Sequence, residues 1–385
     1  MTRATGESFG VLARGLSSLF ARGVARPLPP DEFDCWALRV FRWQLARNEN
    51  YRRYCADRGA TADTVTRWED IPPVPTSAFR HVRLRSLEPG RSPEAVFRTS
   101  GTTGGPTRRG EHAVASLALY RAAVLPPFRA HVLPEGGRLP LLAMMPSPSD
   151  AADSSLSHMV ATVMAAFGGQ GSEWLAGADG TLAEGRLLDV FAASESGTRP
   201  VLVVSTAFAL VHVLDLLEAR NTRVRLPDGS RLMETGGFKG RSRTVARGEL
   251  YAGVHYYLGI PSEMIVNEYG MTELMSQFYE PVLKHPDLGR GLPSDRFLVP
   301  PPWVRTRVLD PITLGSVADG REGLLCHLDL ANAGSVACVL TDDLGVALPR
   351  GFKVLGRIAG AEPRGCSLTV EELLRGSRTS GLRGP

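Results

Sequence analysis

Apolar residues along the chain form two patterns, one with the period of a helix and one made of short continuous runs. An apolar stripe over residues 33–45, which Asp31 or Asp34 can cap, predicts a helix that ends near residues 54–59. Further helices are predicted over residues 111–125, 157–167 and 207–219, and buried strands over residues 139–145, 201–204, 264–266, 323–328 and 336–340. The alternation of strands with helices favours an α/β fold with at least one partly parallel sheet.

Prolines mark the places where helices are expected to stop. Pro126 and Pro127 directly follow the helical pattern over residues 111–125, and a proline inside a helix removes a backbone hydrogen bond. Residues 71–79 contain three prolines, which predict a stiff, extended connector.

Composition narrows the class of protein. The chain of 385 residues is long enough for two or three domains or for one large α/β unit. Its hydrophobic content of 43% is ordinary for a globular protein with a substantial core. The net charge of +4 is scattered, without a basic stripe interleaved with aromatic residues, so nucleic-acid binding is not indicated. The five cysteines form no Cys-x-x-Cys pair, which predicts a reduced, cytoplasmic protein without a zinc module. Polar residues interrupt the longest apolar stretch, residues 201–217, so no membrane span is predicted.

One run, Thr99-Ser100-Gly101-Thr102-Thr103-Gly104-Gly105-Pro106-Thr107, is hard to explain by packing. Its three glycines let backbone amides approach a ligand closely, and its five hydroxyl side chains add donors for anionic oxygens. The run therefore predicts a loop that holds phosphate groups. A flexible surface turn is the alternative.

This run resembles the Thr-Ser-Gly-Thr-Thr-Gly-x-Pro-Lys signature of the adenylate-forming superfamily, with Thr107 in place of the lysine. The resemblance implies a large adenylate-forming domain of mixed sheets flanked by helices. It also implies that a carboxylate attacks the α-phosphate of bound ATP. The residues of the run expected to hold ATP are Thr99, Ser100, Gly101, Thr102, Thr103 and Gly104.

A second resemblance lies at residues 267–273, Asn-Glu-Tyr-Gly-Met-Thr-Glu, which follow a predicted strand as ligand sites of α/β folds do. They resemble the Tyr-Gly-x-Thr-Glu motif of the superfamily. The resemblance puts Tyr269 against adenine, with Glu268 and Gly270 beside it in the ATP site. It makes Thr272 a donor to the α-phosphate and Glu273 a ligand of Mg²⁺, which prefers carboxylate oxygen. An ordinary loop is the alternative.

A glycine-rich turn at residues 234–241 resembles most closely the acyl-protein synthetase (LuxE-like) branch, known from bacterial bioluminescence, which has a Gly-Gly-aromatic-Lys run there. The resemblance implies that Gly236 and Gly237 contact ATP and that Phe238 contacts the acyl substrate. Lys239 is then expected to face a phosphate or the acyl carboxylate. A solvated lysine on a turn is the alternative.

Two single residues extend the predicted site. Thr341-Asp342-Asp343 follows a predicted strand and resembles the Thr-Gly-Asp of the family, which implies that Asp343 accepts both ribose hydroxyls. A simple Asp-Asp-Leu-Gly turn is the alternative. His158 lies where the family has an acyl-pocket residue, and a histidine satisfied in the core is the alternative.

The C-terminal end departs from the larger relatives, which continue with a small mobile domain that opens at a Gly-Arg-x-Asp hinge and carries a catalytic lysine. Here Ala359 replaces the hinge acid, and no lysine follows Lys353. The resemblance therefore implies one adenylate-forming domain over residues 1–352, with an N-terminal helical segment over 1–90, and a truncated C-terminal remnant over 353–385.

The remnant holds two candidate catalytic residues. In acyl-protein synthetases the acyl group passes to a cysteine near the C-terminus, and Cys366 matches that cysteine by position. Arg357 is expected to favour the thiolate of Cys366 or to stabilise the charge that develops on phosphate. The alternative for Cys366 is a small residue tolerated in a turn. The other four cysteines are predicted to lie in the core.

Together the motifs predict a ligase that converts a carboxylic acid, fatty or aromatic, and Mg·ATP into acyl-AMP and pyrophosphate and then acylates a thiol. If the thiol is Cys366, a protein partner such as a reductase or transferase must collect the acyl group. Transfer to a carrier protein or to CoA is the alternative. A hypothesis of another class is an inactive nucleotide-binding or scaffold protein, favoured by Thr107, Ala359 and the missing lysine.

Overall fold

A computed structural model describes residues 7–99, 109–236 and 245–358 of the chain. In these residues the α-helices are α1 Phe9–Phe20, α2 Pro30–Arg47, α3 Glu49–Ala56, α4 Leu117–Val132, α5 Ser155–Phe167, α6 Glu184–Glu195, α7 Ala207–Ala219, α8 Arg247–Leu258 and α9 Pro286–Arg290. The strands are β1 Val74–Pro75, β2 Ala95–Arg98, β3 Glu111–Val114, β4 Leu141–Met144, β5 Glu173–Trp174, β6 Leu202–Thr206, β7 Arg231–Thr235, β8 Ile265–Tyr269, β9 Phe278–Tyr279, β10 Val304–Leu309, β11 Glu322–Asp329, β12 Cys338–Leu348 and β13 Gly351–Arg357. The predicted α/β class is confirmed.

The chain divides into two compact units that alternate along the sequence. Unit 1 holds the described residues up to Pro126, residues 271–276, and the described residues from Pro300 onward. Unit 2 holds the described residues of 127–270 and 277–299. The division predicted at residue 352 stays a prediction.

Unit 1 is built on a five-stranded sheet in the order β1-β12-β11-β10, with β13 paired to β12. β1 runs parallel to β12, and the other pairs are antiparallel. Gln44 of α2 is buried beneath the connection from β11 to β12, where its Nε2 donates to the carbonyl oxygen of Asn332 at 3.0 Å. Its Oε1 accepts from the backbone N–H of Ala337 at 3.2 Å, so one side chain holds both ends of this connection.

Unit 2 is built on a six-stranded sheet in the order β5-β4-β6-β7-β8-β9, in which only β9 pairs antiparallel. This sheet confirms the predicted partly parallel sheet. Its central strands are buried, as expected for strands covered on both faces, and their apolar side chains join those of α6, α7 and α8 in one core. The register pairs Thr206 with Thr235 and Thr235 with Glu268, so three strands present polar side chains at their carboxyl ends.

Part of the predicted helix over residues 111–125 is wrong. Residues 111–114 pair with β2 as strand β3, and α4 begins at Leu117 and continues through Pro126 and Pro127. An interior proline costs a helix about 3 kcal/mol. The helix continues because Phe128 and Val132 beyond the prolines are fully buried, and each such burial contributes about 1.5–3 kcal/mol.

Two smaller differences concern β12 and the cysteines. The strand predicted over residues 336–340 extends to Leu348, because β13 returns antiparallel along its second half. Cys35 is exposed, whereas Cys55, Cys326 and Cys338 are buried as predicted. Among the described residues, no helix combines the length and apolar character that crossing a membrane requires.

Candidate active site

Thr272 and Glu273 lie in a short piece of unit 1, residues 271–276, whose backbone is held by side chains from distant parts of the sequence. His112 Nδ1 lies 2.6 Å from the carbonyl oxygen of Thr272, and Asn332 Nδ2 donates to the carbonyl oxygen of Glu273 at 2.7 Å. Because a carbonyl oxygen only accepts, His112 carries its proton on Nδ1. Burial lowers the pKa of His112 to about 4, so its ring is neutral near pH 7.

The end of the same piece is held by Asp329, the last residue of β11. Asp329 Oδ2 accepts from the backbone N–H groups of Met275 at 3.0 Å and Ser276 at 2.9 Å. Asp329 Oδ1 accepts from the Ser276 hydroxyl group at 2.8 Å, and the Trp303 indole donates to that hydroxyl oxygen at 3.0 Å. The backbone around Glu273 is therefore fixed on both sides.

The Glu273 carboxyl group is buried, with 7% of the residue exposed. Burial raises its pKa to about 7, the negative charge of Asp342 adds to that effect, and Arg357 and Arg80 oppose it. The carboxylate accepts a hydrogen bond from the backbone N–H of Glu273 itself, and within the described residues none reaches it from another residue. It retains acceptor capacity that a cation or a ligand can use.

A magnesium ion fits this arrangement if phosphate oxygens complete its coordination. Mg²⁺ is commonly held by one or two carboxylates together with substrate phosphates and water. Over residues 7–99, 109–236 and 245–358, no group of three or more His, Cys, Asp or Glu side chains forms a metal site by itself. Glu273 therefore suits a cation that arrives with a polyphosphate better than a resident metal ion.

Asp343 and Arg357 face each other across β12 and β13, where the register pairs them. Arg357 Nε donates to Asp343 Oδ1 at 3.1 Å. The backbone N–H of Asp343 donates to Thr341 Oγ1 at 3.1 Å, and the Thr341 hydroxyl group donates to the carbonyl oxygen of Leu325 at 2.9 Å. Asp343 thus lies within strand β12, where the pairing with β11 is irregular between Leu324 and Cys326, and not in the isolated turn that was the alternative.

Thr99 leads from β2 towards the predicted phosphate loop. Its backbone N–H donates to the carbonyl oxygen of Gly110 at 3.0 Å, and the N–H of Gly110 donates to Thr99 Oγ1 at 2.9 Å. A Cβ at Gly110 would lie 3.5 Å from both Phe79 Cβ and Arg80 Cγ, and the Phe79 ring packs edge-on against His112 at 5.9 Å. Unit 1 therefore brings Thr99, Thr272, Glu273, Asp343 and Arg357 into one connected neighbourhood.

Unit 2 carries Glu268 and Gly270, which constrain each other. The Thr235 hydroxyl group hydrogen-bonds the Glu268 carboxylate. Burial raises the pKa of Glu268 to about 7, and the negative charge of Glu234 adds to that effect. A Cβ at Gly270 would lie 2.5 Å from Glu268 Oε1, so any larger residue there would require the Glu268 carboxylate to shift.

Tyr269 and Gly236 lie at the carboxyl ends of two neighbouring strands of unit 2, Tyr269 as the last residue of β8 and Gly236 directly after β7. The Tyr269 ring packs against Phe278 with the centroids 5.7 Å apart. Gly236 directly follows β7 with φ of +73°, a conformation that favours glycine. His158 lies half-buried in α5, where its carbonyl oxygen accepts from the Thr162 hydroxyl group at 2.8 Å, and its assignment to an acyl pocket stays a prediction.

Several predicted site residues lie outside the described residues: Ser100, Gly101, Thr102, Thr103, Gly104, Gly237, Phe238, Lys239 and Cys366. Sequence reasoning missed His112, Asn332, Asp329 and Arg80. None of the four belongs to a motif, and the signal available was a polar residue in an apolar setting, as in the Ala-Asn-Ala run around Asn332.

A family model described as acyl-protein synthetase, LuxE, matches residues 32–375. The chain belongs to this family. It is similar to the long-chain-fatty-acid–luciferin-component ligase of Aliivibrio fischeri, with 21% identity over 349 residues and 87% of each chain covered. Membership of the acyl-protein synthetase family confirms the predicted enzyme class, an adenylate-forming ligase that uses ATP to activate an acyl group as acyl-AMP.

Solved structures support the fold of this acyl-protein synthetase. An open conformation of 2-hydroxyisobutyryl-CoA ligase, in complex with 2-HIB-AMP and CoA, matches with a TM-score of 0.61 and 16% identity. The match covers 88% of this chain and 77% of that one, which confirms the adenylate-forming fold. The chain spans about half the length of ATP-bound MatB from Rhodopseudomonas palustris, covering 48% of it at 17% identity with a TM-score of 0.47.

Proposed function

We propose that this ligase converts a carboxylic acid and Mg·ATP into acyl-AMP and pyrophosphate and then transfers the acyl group to a thiol. The observation that carries the proposal is Glu273, a buried carboxylate on a fixed backbone with acceptor capacity left over and with Arg80 and Arg357 nearby. Such a group is expensive to keep in the fold unless it binds something. A cation bound together with the phosphates of ATP accounts for it.

The residues around Glu273 have distinct roles in this proposal. The Thr272 hydroxyl group donates to the α-phosphate, and His112 and Asn332 keep Thr272 and Glu273 in position through their backbone carbonyl oxygens. Mg²⁺ held at Glu273 would supply charge neutralisation to the phosphates. Arg357 stabilises the negative charge that develops as a carboxylate oxygen of the acid attacks the α-phosphorus.

The nucleoside and acyl group occupy residues assigned by family resemblance. Asp343 accepts the ribose hydroxyls, which requires that Arg357 and the diol share its carboxylate. Tyr269 packs against adenine, with Gly236, Glu268 and Gly270 shaping the strand ends beneath it. The loop from Thr99 to Gly104 with Gly237 holds the phosphates, Lys239 assists at the phosphate or acyl carboxylate, and His158 and Phe238 line the acyl pocket.

The first test is pyrophosphate release from ATP, measured with a panel of carboxylic acids. The name of the Aliivibrio fischeri relative suggests starting with long-chain fatty acids, and aromatic acids form the second arm. We expect release that depends on one class of acid. Tight ATP binding without acid-dependent release for any member of the panel would instead favour the inactive nucleotide-binding protein.

The acceptor requires a second test. Cys366 is the candidate because it matches the acyl-accepting cysteine of the family by position, and it implies that a reductase or transferase later collects the acyl group. We expect incubation with ATP and the active acid to add one acyl mass to the intact protein, and Cys366→Ala to abolish the adduct. An unmodified protein that acylates a carrier protein or CoA would reject Cys366 and leave acyl activation intact.

A further inference from the structure

A cleft of about 200 Å³ in unit 1 has a strongly basic lining. The basic residues that line it are Arg80, His81, Arg83, Arg85 and Arg109. Among the described lining residues Glu111 is the one carboxylate, and Arg98 Nη2 donates to its Oε1 at 3.0 Å. Because Glu111 already has a cationic partner, the lining keeps a net excess of positive charge.

The backbone of residues 81–86 places Arg83 and Arg85 on the same side of the chain, in the lining of the cleft. Leu84 is buried between the exposed Arg83 and the half-buried Arg85, an alternation typical of extended chain, in which every second side chain shares a side. The carbonyl oxygen of Leu84 accepts from the Ser335 hydroxyl group at 2.9 Å, which fixes this segment. Within the described part of the chain, neither Arg83 nor Arg85 pairs with a carboxylate.

The cleft borders the residues assigned to the phosphates. Arg80 lines the cleft and also lies close enough to Glu273 for its charge to stabilise that carboxylate. The Arg80 side chain packs beside Gly110, whose N–H donates to Thr99 Oγ1. Arg109 Nε donates to the carbonyl oxygen of Thr99 at 2.5 Å. Basic side chains therefore extend without interruption from Glu273 and Thr99 into the cleft.

We propose that this cleft binds the inorganic pyrophosphate that acyl-AMP formation releases, an inference that rests on the proposed function. Several guanidinium groups confined in one cleft repel each other, and a polyanion relieves that repulsion. Guanidinium groups also match phosphate oxygens in bidentate pairs. The volume lies below the range of about 300–1,000 Å³ typical of larger ligand sites, so a compact anion fits better than a nucleotide.

The test is a calorimetric titration of the full-length, nucleotide-free protein with inorganic pyrophosphate. Each lost hydrogen bond to a charged group weakens binding by about tenfold or more, so we expect Arg83→Ala/Arg85→Ala to raise the Kd by about tenfold to hundredfold. Arg83→Gln/Arg85→Gln keeps most of the aliphatic stems and is expected to have the same effect with less disturbance of packing. Higher ionic strength is expected to weaken wild-type binding.

Unit 2 offers a matched control with the same local pattern. Arg223 and Arg225 are exposed on either side of the buried Val224, much as the exposed Arg83 and the half-buried Arg85 flank Leu84. The Arg223 guanidinium stacks 3.6 Å from the Tyr256 ring and not in the basic cleft. Arg223→Ala/Arg225→Ala removes the same total charge, and we expect its Kd for pyrophosphate to stay within about twofold of the wild type.

The proposal would be overturned by pyrophosphate binding that is equally strong in the wild type and in both Arg83/Arg85 variants. If those variants also lost transfer to a phosphate-bearing acyl acceptor, the cleft would serve the acceptor instead. The titration needs neither acid nor ATP, so it gives an answer even if pyrophosphate release proves independent of every acid tested.

Discussion

Two buried glutamates, Glu268 in unit 2 and Glu273 in unit 1, lie close together in the sequence but in different surroundings. Burial raises the pKa of each carboxyl group to about 7. Glu268 is hydrogen-bonded by the Thr235 hydroxyl group on the neighbouring strand. Glu273 receives no hydrogen bond from another described residue and has Asp342, Arg357 and Arg80 around it.

The Glu268 carboxylate is hydrogen-bonded within its own sheet, whereas the Glu273 carboxylate is available to a ligand. Thr235 satisfies part of the hydrogen-bonding capacity of Glu268, and Gly270 leaves room for that carboxylate. At Glu273 the structure instead fixes the backbone, through Asn332, and the side-chain carboxylate accepts only from the backbone N–H of Glu273 itself among the described residues, which leaves acceptor capacity for other partners. A buried carboxylate such as that of Glu273 favours a bound cation, because the cation offsets the free energy of burying its negative charge.

The largest effect is expected from Glu273→Gln, which keeps the shape of the side chain but removes its charge. We expect acid-dependent ATP–pyrophosphate exchange to fall by about a hundredfold to a thousandfold, with no recovery at high Mg²⁺ concentration. Glu268→Gln is the comparison, and it should keep the wild-type dependence of exchange on Mg²⁺ concentration. Exchange by Glu273→Gln within about threefold of the wild type would remove the metal role of Glu273.

Asn332→Ala tests whether the backbone of residues 271–276 must be held in place. The change leaves the buried carbonyl oxygen of Glu273 without its donor, which costs about 1–3 kcal/mol of unfolding free energy. We expect kcat to fall by about tenfold to a hundredfold, because a small displacement of Thr272 and Glu273 spoils their geometry.

A double mutant distinguishes this positioning role from a general loss of stability. If Asn332 acts through Glu273, Asn332→Ala should lower kcat much less when it is added to Glu273→Gln than in the wild type. An equal fall in both backgrounds would show that Asn332 acts independently of Glu273.

The ribose contact should give a smaller effect that is confined to nucleotide binding. Asp343→Asn loses a charged acceptor, and we expect the KM for ATP to rise by about tenfold. Replacing ATP by 2′-deoxy-ATP should raise the KM of the wild type similarly but change that of the variant little. A variant that still discriminates fully between the two nucleotides would contradict the assignment of Asp343.

Features that depend on residues close together in the sequence could be predicted, and features that depend on contacts between distant residues could not. The parallel strands of unit 2 were predictable because buried strands are continuous apolar runs, and Thr272 and Glu273 could be proposed as site residues because their motif is local. The donors to that motif were not, because His112, Asn332 and Asp329 belong to β3, to the loop after β11 and to β11 itself. The helix through Pro126 was missed for the same reason, since the burial of Phe128 depends on its tertiary neighbours.

The smallest effect on catalysis is expected from Glu268→Gln. For this variant the quantity to compare with the wild type is the free energy of unfolding. Its pKa is raised from 4.5 to about 7, so between these values the folded protein holds a proton that the unfolded chain has released. This contribution to the free energy of unfolding is complete below about pH 4.5 and is lost as the pH rises through about 7. Glu268→Gln stays neutral, so it should gain stability relative to the wild type with rising pH, by as much as about 3 kcal/mol at pH 8. Denaturant unfolding of both proteins between pH 5 and pH 8 measures this difference, and a difference that does not change with pH would mean that Glu268 ionises as freely in the fold as in the unfolded chain.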